Sequence, residues 1–186
     1  GRAEEALTLL PQARRYVGLE TERPSPESLP NYLPNQALCL AHAGRSAEAR
    51  DYFSVALEGN QDLLTRKQVS WLMLTGLLET AVLLKDVDVA KALADQLEEV
   101  AGGAGVARRL GEAANLSGES DRALEYFQKA LEVSINMPDR PEVALARFDM
   151  AELILGHFPS QPDEAMEHLD FAIAEFREMK MQPSLD

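Results

Sequence analysis

Hydrophobic positions along this chain recur at spacings of four and then three residues, which places them on one face of an α-helix. In each copy a small residue is followed by a large apolar residue and then by another small one. The four clear copies are Ala6, Leu10 and Ala13; Ala49, Phe53 and Ala56; Ala123, Phe127 and Ala130; and Ala165, Leu169 and Ala172. A weaker copy is Ala90, Ala94 and Leu97. Small residues allow a neighbouring helix to approach closely, so the pattern predicts helices that pack in pairs.

The first small residues of the five copies are 43, 41, 33 and 42 positions apart. Self-similarity at such a period is typical of helical-hairpin repeats. Four of the five copies follow another apolar helical segment, so each pair predicts one hairpin. Gly44, Gly118 and Gly156 are placed to end first helices, and Ser46 and Ser120 are placed to begin second helices.

The pair Leu110-Gly111 matches the Leu-Gly pair of the tetratricopeptide (TPR) pattern in residue type and spacing, and the chain resembles the TPR family over nearly its whole length. The resemblance implies an all-α fold, an α-solenoid of antiparallel helical hairpins with a right-handed superhelical twist. Residues 164–181 more narrowly resemble the last repeats of large bacterial signal-transduction ATPases, found in maltose-activator-type transcriptional regulators and multidomain adenylate/guanylate cyclases. In such proteins an ATPase module precedes a long TPR array.

We therefore predict a single repeat array over residues 1–186 that is a fragment of a longer protein. Prolines at four positions in the segment 21–34 interrupt the helical pattern. The predicted parts are an orphan second helix at 1–20, a proline-rich linker at 21–30, and repeats at 31–59, 62–101, 104–137 and 141–181.

Composition and charge argue against several classes of partner. The formal net charge is −13, which should repel DNA, RNA and anionic lipid. The longest apolar run, from Trp71 to Leu84, is too short to span a bilayer and contains Glu79. Cys39 is the single cysteine, so no disulfide can form within the chain, and we expect a buried thiol and a cytoplasmic protein. We expect no nucleic-acid or membrane partner.

No motif predicts catalysis. The pair Glu164 and His168 lies one helical turn apart, but no second pair supports a metal site, and a plain surface pair is the stronger interpretation. Gly103 and Gly105 lack the preceding strand and third glycine of a dinucleotide fingerprint. Trp71 and Met73 could belong to a ligand stripe, although core packing between repeats is favoured. We expect no enzyme activity, no metal and no cofactor.

The remaining hypothesis is binding through the concave surface that the first helices line. Glu79, Glu112 and Glu152 follow the packed positions of successive first helices and would form an acidic stripe that recruits a basic protein or peptide. A solvated face with Arg108 and Glu112 paired along the helix is the plainer interpretation. The candidate surface is Leu38, His42, Thr75, Glu79, Arg108, Glu112, Asn115, Phe148 and Glu152.

The leading function is therefore a non-catalytic protein-binding module of a bacterial signalling or transcription-regulating protein. The alternative is a sensor that holds a small inducer in the same groove. Self-association is a further expectation at the N-terminal end, because the orphan helix would expose an apolar stripe that lacks its own first helix.

Overall fold

The computed structural model describes residues 3–9, 32–58, 71–100, 102–136 and 139–181. Within these ranges every regular element is an α-helix and no strand occurs. Helix α1 covers residues 3–9. The others are α2 (Tyr32–His42), α3 (Ser46–Glu58), α4 (Trp71–Leu83), α5 (Val87–Val100), α6 (Ala104–Leu116), α7 (Ser120–Asn136), α8 (Arg140–His157) and α9 (Pro162–Glu178). The predicted all-α class is confirmed.

The chain forms two compact units, Gly1–Val100 and Ala101–Asp186. In the first unit α2 packs on α3, α4 packs on α5, and α2 lies beside α4. In the second unit α6 packs on α7, α8 packs on α9, and α8 contacts both α6 and α7. The proposed repeat boundaries stay a prediction, and the proline-rich linker at 21–30 falls outside the described residues.

The small residues that anchor the sequence pattern lie at the centre of the packing. Ala49, Ala90, Ala123 and Ala165 are completely buried. Ala6 in α1 is only half-buried, and Leu9 in the same helix is 57% exposed. Self-association through this end remains a prediction, because most of residues 1–20 lie outside the described part.

Three first helices end in the same left-handed turn. Gly44 and Gly118 have φ angles of 73° and 77°, and the next residue in each case donates a hydrogen bond back to a carbonyl five positions earlier. Lys85 occupies the equivalent place after α4 with φ 56°. This is a conformation that a side chain disfavours and that glycine adopts freely. The sequence pattern therefore missed Lys85 as a helix end.

Gly156 does not end its helix, contrary to the sequence prediction, because α8 continues through it to His157. The stop comes instead at Phe158, just before Pro159, which disfavours a helical conformation in the residue preceding it.

Trp71 was predicted to lie in the core, and that prediction is wrong. It is the first residue of α4 and is 50% exposed, and its neighbour Leu72 is 64% exposed. The buried stripe of α4 begins one turn later, at Leu74. Cys39 is half-buried, and desolvation raises the pKa of its thiol.

Candidate binding face

In each unit two first helices lie side by side, and polar side chains bridge them. In the first unit His42 ends α2 and Glu79 lies on α4, with 2.9 Å between the imidazole Nε2 and the carboxylate Oε1. The imidazole side chain is 46% exposed and the carboxylate side chain 13% exposed. An exposed pair of this kind contributes about 1 kcal/mol or less. Two of the predicted surface residues therefore contact each other.

In the second unit the bridge is a group of five charged side chains around the buried guanidinium of Arg108, and we call it the Arg108 cluster. The guanidinium of Arg108 on α6 donates to Glu112 on its own helix, and to Glu142 and Asp149 on α8. The distance from Arg108 Nη1 to Asp149 Oδ2 is 2.9 Å. Arg109 donates two further hydrogen bonds to Glu112, at 2.9 and 2.8 Å. The cluster thus joins the first helices of two successive hairpins.

Helix geometry explains why these residues meet. Arg108 and Glu112 are four positions apart on α6, and Glu142 and Asp149 are seven apart on α8, so each pair shares one face. The side chain of Asp139 accepts from the backbone N–H of Glu142 at 3.3 Å and caps α8. Glu142 therefore lies in the first turn of α8, where the helix dipole favours a negative charge.

Burial dominates the electrostatics of this cluster. Arg108 is only 4% exposed; burial alone would lower its pKa, but Glu112, Asp149 and Glu142 raise it above the usual value, so the guanidinium stays charged. Burial, followed by the charge of Glu112, raises the pKa of Asp149 to about 7, and Arg108 acts in the opposite direction. Three carboxylates share two guanidinium groups, which leaves one negative charge in excess.

Glu152 differs from the other two glutamates of the predicted stripe. It lies on α8, is exposed, and partial burial raises the pKa of its carboxyl group. In the described part of the chain no hydrogen bond or ion pair involves it. The position that Glu79 and Glu112 use for internal pairs is therefore open at Glu152.

The other candidate residues have mainly packing roles. Leu38 is half-buried on α2, and the Thr75 hydroxyl donates to the backbone carbonyl of Trp71 at 2.7 Å. Asn115 is half-buried near the end of α6. Phe148 packs against Phe176 of α9, with 6.2 Å between ring centroids.

Sequence reasoning missed Glu142 and Asp149. The only signal in the sequence is two carboxylates seven positions apart on α8, the first helix of the hairpin that follows the one with Arg108. Nothing in the spacing indicates which helix receives the arginine, because that depends on how α8 docks on α6.

Two observations concern metal binding and membrane crossing in the described part of the chain. Among the described residues, no three His, Cys, Asp or Glu side chains are arranged as a metal site. None of the described helices has the length and apolar character needed to cross a membrane.

Antiparallel helical hairpins with adjacent first helices define the TPR-like class of helical repeat folds, and similar solved structures are of that class. BtubC (BKLC) from P. vanneervenii has 18% sequence identity and a TM-score of 0.62, over 97% of this chain and 75% of that chain. MamA (residues 41 to the end) from Desulfovibrio magneticus RS-1 has 18% identity and a TM-score of 0.56, over 96% and 88% of the two chains. No protein-family model matches the sequence, and no curated protein is significantly similar to it. The likeness to signal-transduction ATPases stays a prediction.

Proposed function

We propose that this chain is a non-catalytic protein-binding module that takes a basic segment of its partner on the open faces of its first helices. Helical repeat folds bind through extended surfaces, and their specificity depends on the side chains presented there. The overall negative charge, −13, favours encounter with a positively charged partner.

The observation that carries the proposal is the position of Glu152. On α8 it follows Phe148 by four residues and Asp149 by three, so it lies on the helix face between the α6 side and the α9 side. Its carboxylate is partly desolvated but has no cation beside it in the described part of the chain. An arriving Lys or Arg side chain would stabilise that charge, and the half-buried ring of Phe148 offers apolar surface for its aliphatic stem.

Two of the three glutamates predicted to recruit a partner are already bonded within the chain. Glu112 already receives hydrogen bonds from Arg108 and Arg109, and Glu79 is bonded to His42. A partner would compete with those contacts for either carboxylate. The carboxylate of Glu152 is the one of the three that a partner can bind without competing with an internal hydrogen bond in the described part of the chain.

The test is Glu152→Gln, which removes the charge and keeps the shape. The matched control is Glu125→Gln on α7, an exposed glutamate of the same unit. Proteins captured from lysate by each variant would be identified by mass spectrometry at low and moderate salt. We expect Glu152→Gln to lose partners that the wild type and the control retain, with a weaker salt dependence. The same proteins captured with the same salt dependence would contradict the proposal.

The wider context is also a proposal: a cytoplasmic module of a bacterial signalling or transcription-regulating protein. It is supported by the resemblance of residues 164–181 to the repeats of such regulators. Partners identified in the capture experiment would test it, since a set without signalling or transcription proteins would speak against this context.

A further inference from the structure

The Arg108 cluster holds more carboxylates than guanidinium groups at a buried joint. The Arg108 side chain is 5% exposed, and those of Glu112, Glu142 and Asp149 are each 16% exposed. An excess charge in such surroundings is poorly solvated and little screened by salt. Binding one proton would balance the cluster.

The hydrogen bonds indicate which carboxylate takes the proton. Glu112 accepts from both Arg108 and Arg109. Glu142 accepts from Arg108 and also lies in the first turn of α8, where the helix dipole stabilises its charge. Asp149 lies near the middle of α8 and accepts from Arg108. Asp149 is therefore the least stabilised carboxylate, which agrees with the raised pKa of its side chain.

The titratable groups of the neighbouring helices bond to residues outside the cluster. Helix α7 packs on α6 and α8 largely through apolar residues, with Tyr126 as the buried titratable group, and the Tyr126 hydroxyl is bonded by an arginine of α7. Helix α9 presents His168 and Glu175 to arginines of α8. Those arginines lie on the side of α8 opposite Asp149, at 100° per residue.

We propose that the Arg108 cluster is a pH-sensitive joint, in which a proton on Asp149 holds α8 against α6 and loss of that proton weakens their packing. This inference does not depend on the protein-binding role. It matters for that role because α8 also carries Glu152.

The direction of the pH dependence follows from the two states of Asp149. In the unfolded chain its carboxyl has the ordinary pKa of about 3.9, and in the fold the pKa is raised. The stabilisation by the neutral form is therefore complete below about pH 4 and is lost as the pH rises to about 7. Over that window this one group raises the unfolding constant by up to about tenfold per pH unit.

The test compares wild type with Asp149→Asn, a neutral side chain of the same shape, and with Glu125→Gln as the surface control. Urea unfolding would be followed at several pH values from 5 to 8.5. We expect the ratio of the wild-type unfolding constant to that of Asp149→Asn to rise with pH by up to about tenfold per unit, and to level off above about pH 8. The control should follow the wild type.

A direct titration keeps the test decisive if the variant folds poorly. Carboxyl ¹³C NMR on the wild-type chain should show Asp149 titrating near neutral pH. Asp149 ionised throughout the range above pH 5, or an Asp149→Asn variant whose deficit grows as the pH rises, would show an ordinary salt bridge and overturn the proposal.

Discussion

Gly111 on α6 lies directly against the Phe127 ring of α7, and adding a single methyl group there should be destabilising. A Cβ atom at Gly111 would lie 2.5, 2.6 and 3.0 Å from Cε1, Cδ1 and Cζ of the Phe127 ring. Carbon atoms prefer about 3.5–4.0 Å, so the ring would have to retreat by roughly 1 Å. Phe127 is 1% exposed, and a closely packed interior leaves it little room to move.

A matched glycine separates this clash from helix propensity. Gly76 lies in the interior of α4, and a Cβ there would meet nothing within 4 Å. Both glycines lie well inside their helices, so Gly→Ala should favour each helix by about 1 kcal/mol. The difference between the two variants therefore isolates the steric cost, which for overpacking is about 1–3 kcal/mol. We expect Gly76→Ala to be stabilising and Gly111→Ala to be destabilising.

Urea unfolding followed by far-UV circular dichroism measures both effects on the full chain. A second variant, Phe127→Leu, shortens the side chain that meets the new methyl group. In the double variant the cost of Gly111→Ala should largely disappear, giving a coupling energy of about 1 kcal/mol or more. If Gly111→Ala is as stabilising as Gly76→Ala, or if the coupling with Phe127→Leu is near zero, the close approach of α6 and α7 at this position is refuted.

Two further substitutions test the turns and the buried anchors. Lys85→Gly should stabilise the chain by roughly 0.5–1 kcal/mol because it removes a side chain from a left-handed conformation. Gly118→Lys makes the opposite change and should be destabilising to a similar degree. A higher thermal midpoint for Gly118→Lys would contradict the equivalence of the two turns. Ala123→Leu should cost about 1–3 kcal/mol or more because Ala123 is completely buried, and an unchanged midpoint would show that this residue does not lie at a helix contact.

The elements that the sequence predicted well are those with local signals. Helices α3 and α7 begin at Ser46 and Ser120, each two positions after a glycine that adopts a left-handed turn. The alanines at repeat spacing are buried because only a small side chain fits between close helices. The sequence signal for each of these features lies within a few positions along the chain.

The features that sequence reasoning missed depend on tertiary packing. Lys85 adopts a glycine-like conformation because α4 and α5 are held in a hairpin by their buried faces, and that packing outweighs a local cost of about 1–2 kcal/mol. Trp71 is exposed at the first residue of α4, and the long apolar run gave no indication of that exposure. Glu142 and Asp149 reach Arg108 across 34 and 41 positions of sequence, and no local pattern specifies that docking.

The two polar bridges between first helices occupy comparable places but act differently. In the bridge from His42 to Glu79 the imidazole side chain is 46% exposed, so water competes for it and the pair adds little stability. In the Arg108 cluster the guanidinium itself is only 5% exposed, so the attraction to its carboxylates must first offset the loss of its hydration. Its main effect is then to specify the docking of α8 on α6, since any other register would leave Arg108 or a carboxylate buried without a partner. A residue type that appears from sequence to be a binding contact can thus be part of the scaffold, as Glu112 is, whereas the side chain of Glu152 forms no such internal pair in the described part of the chain.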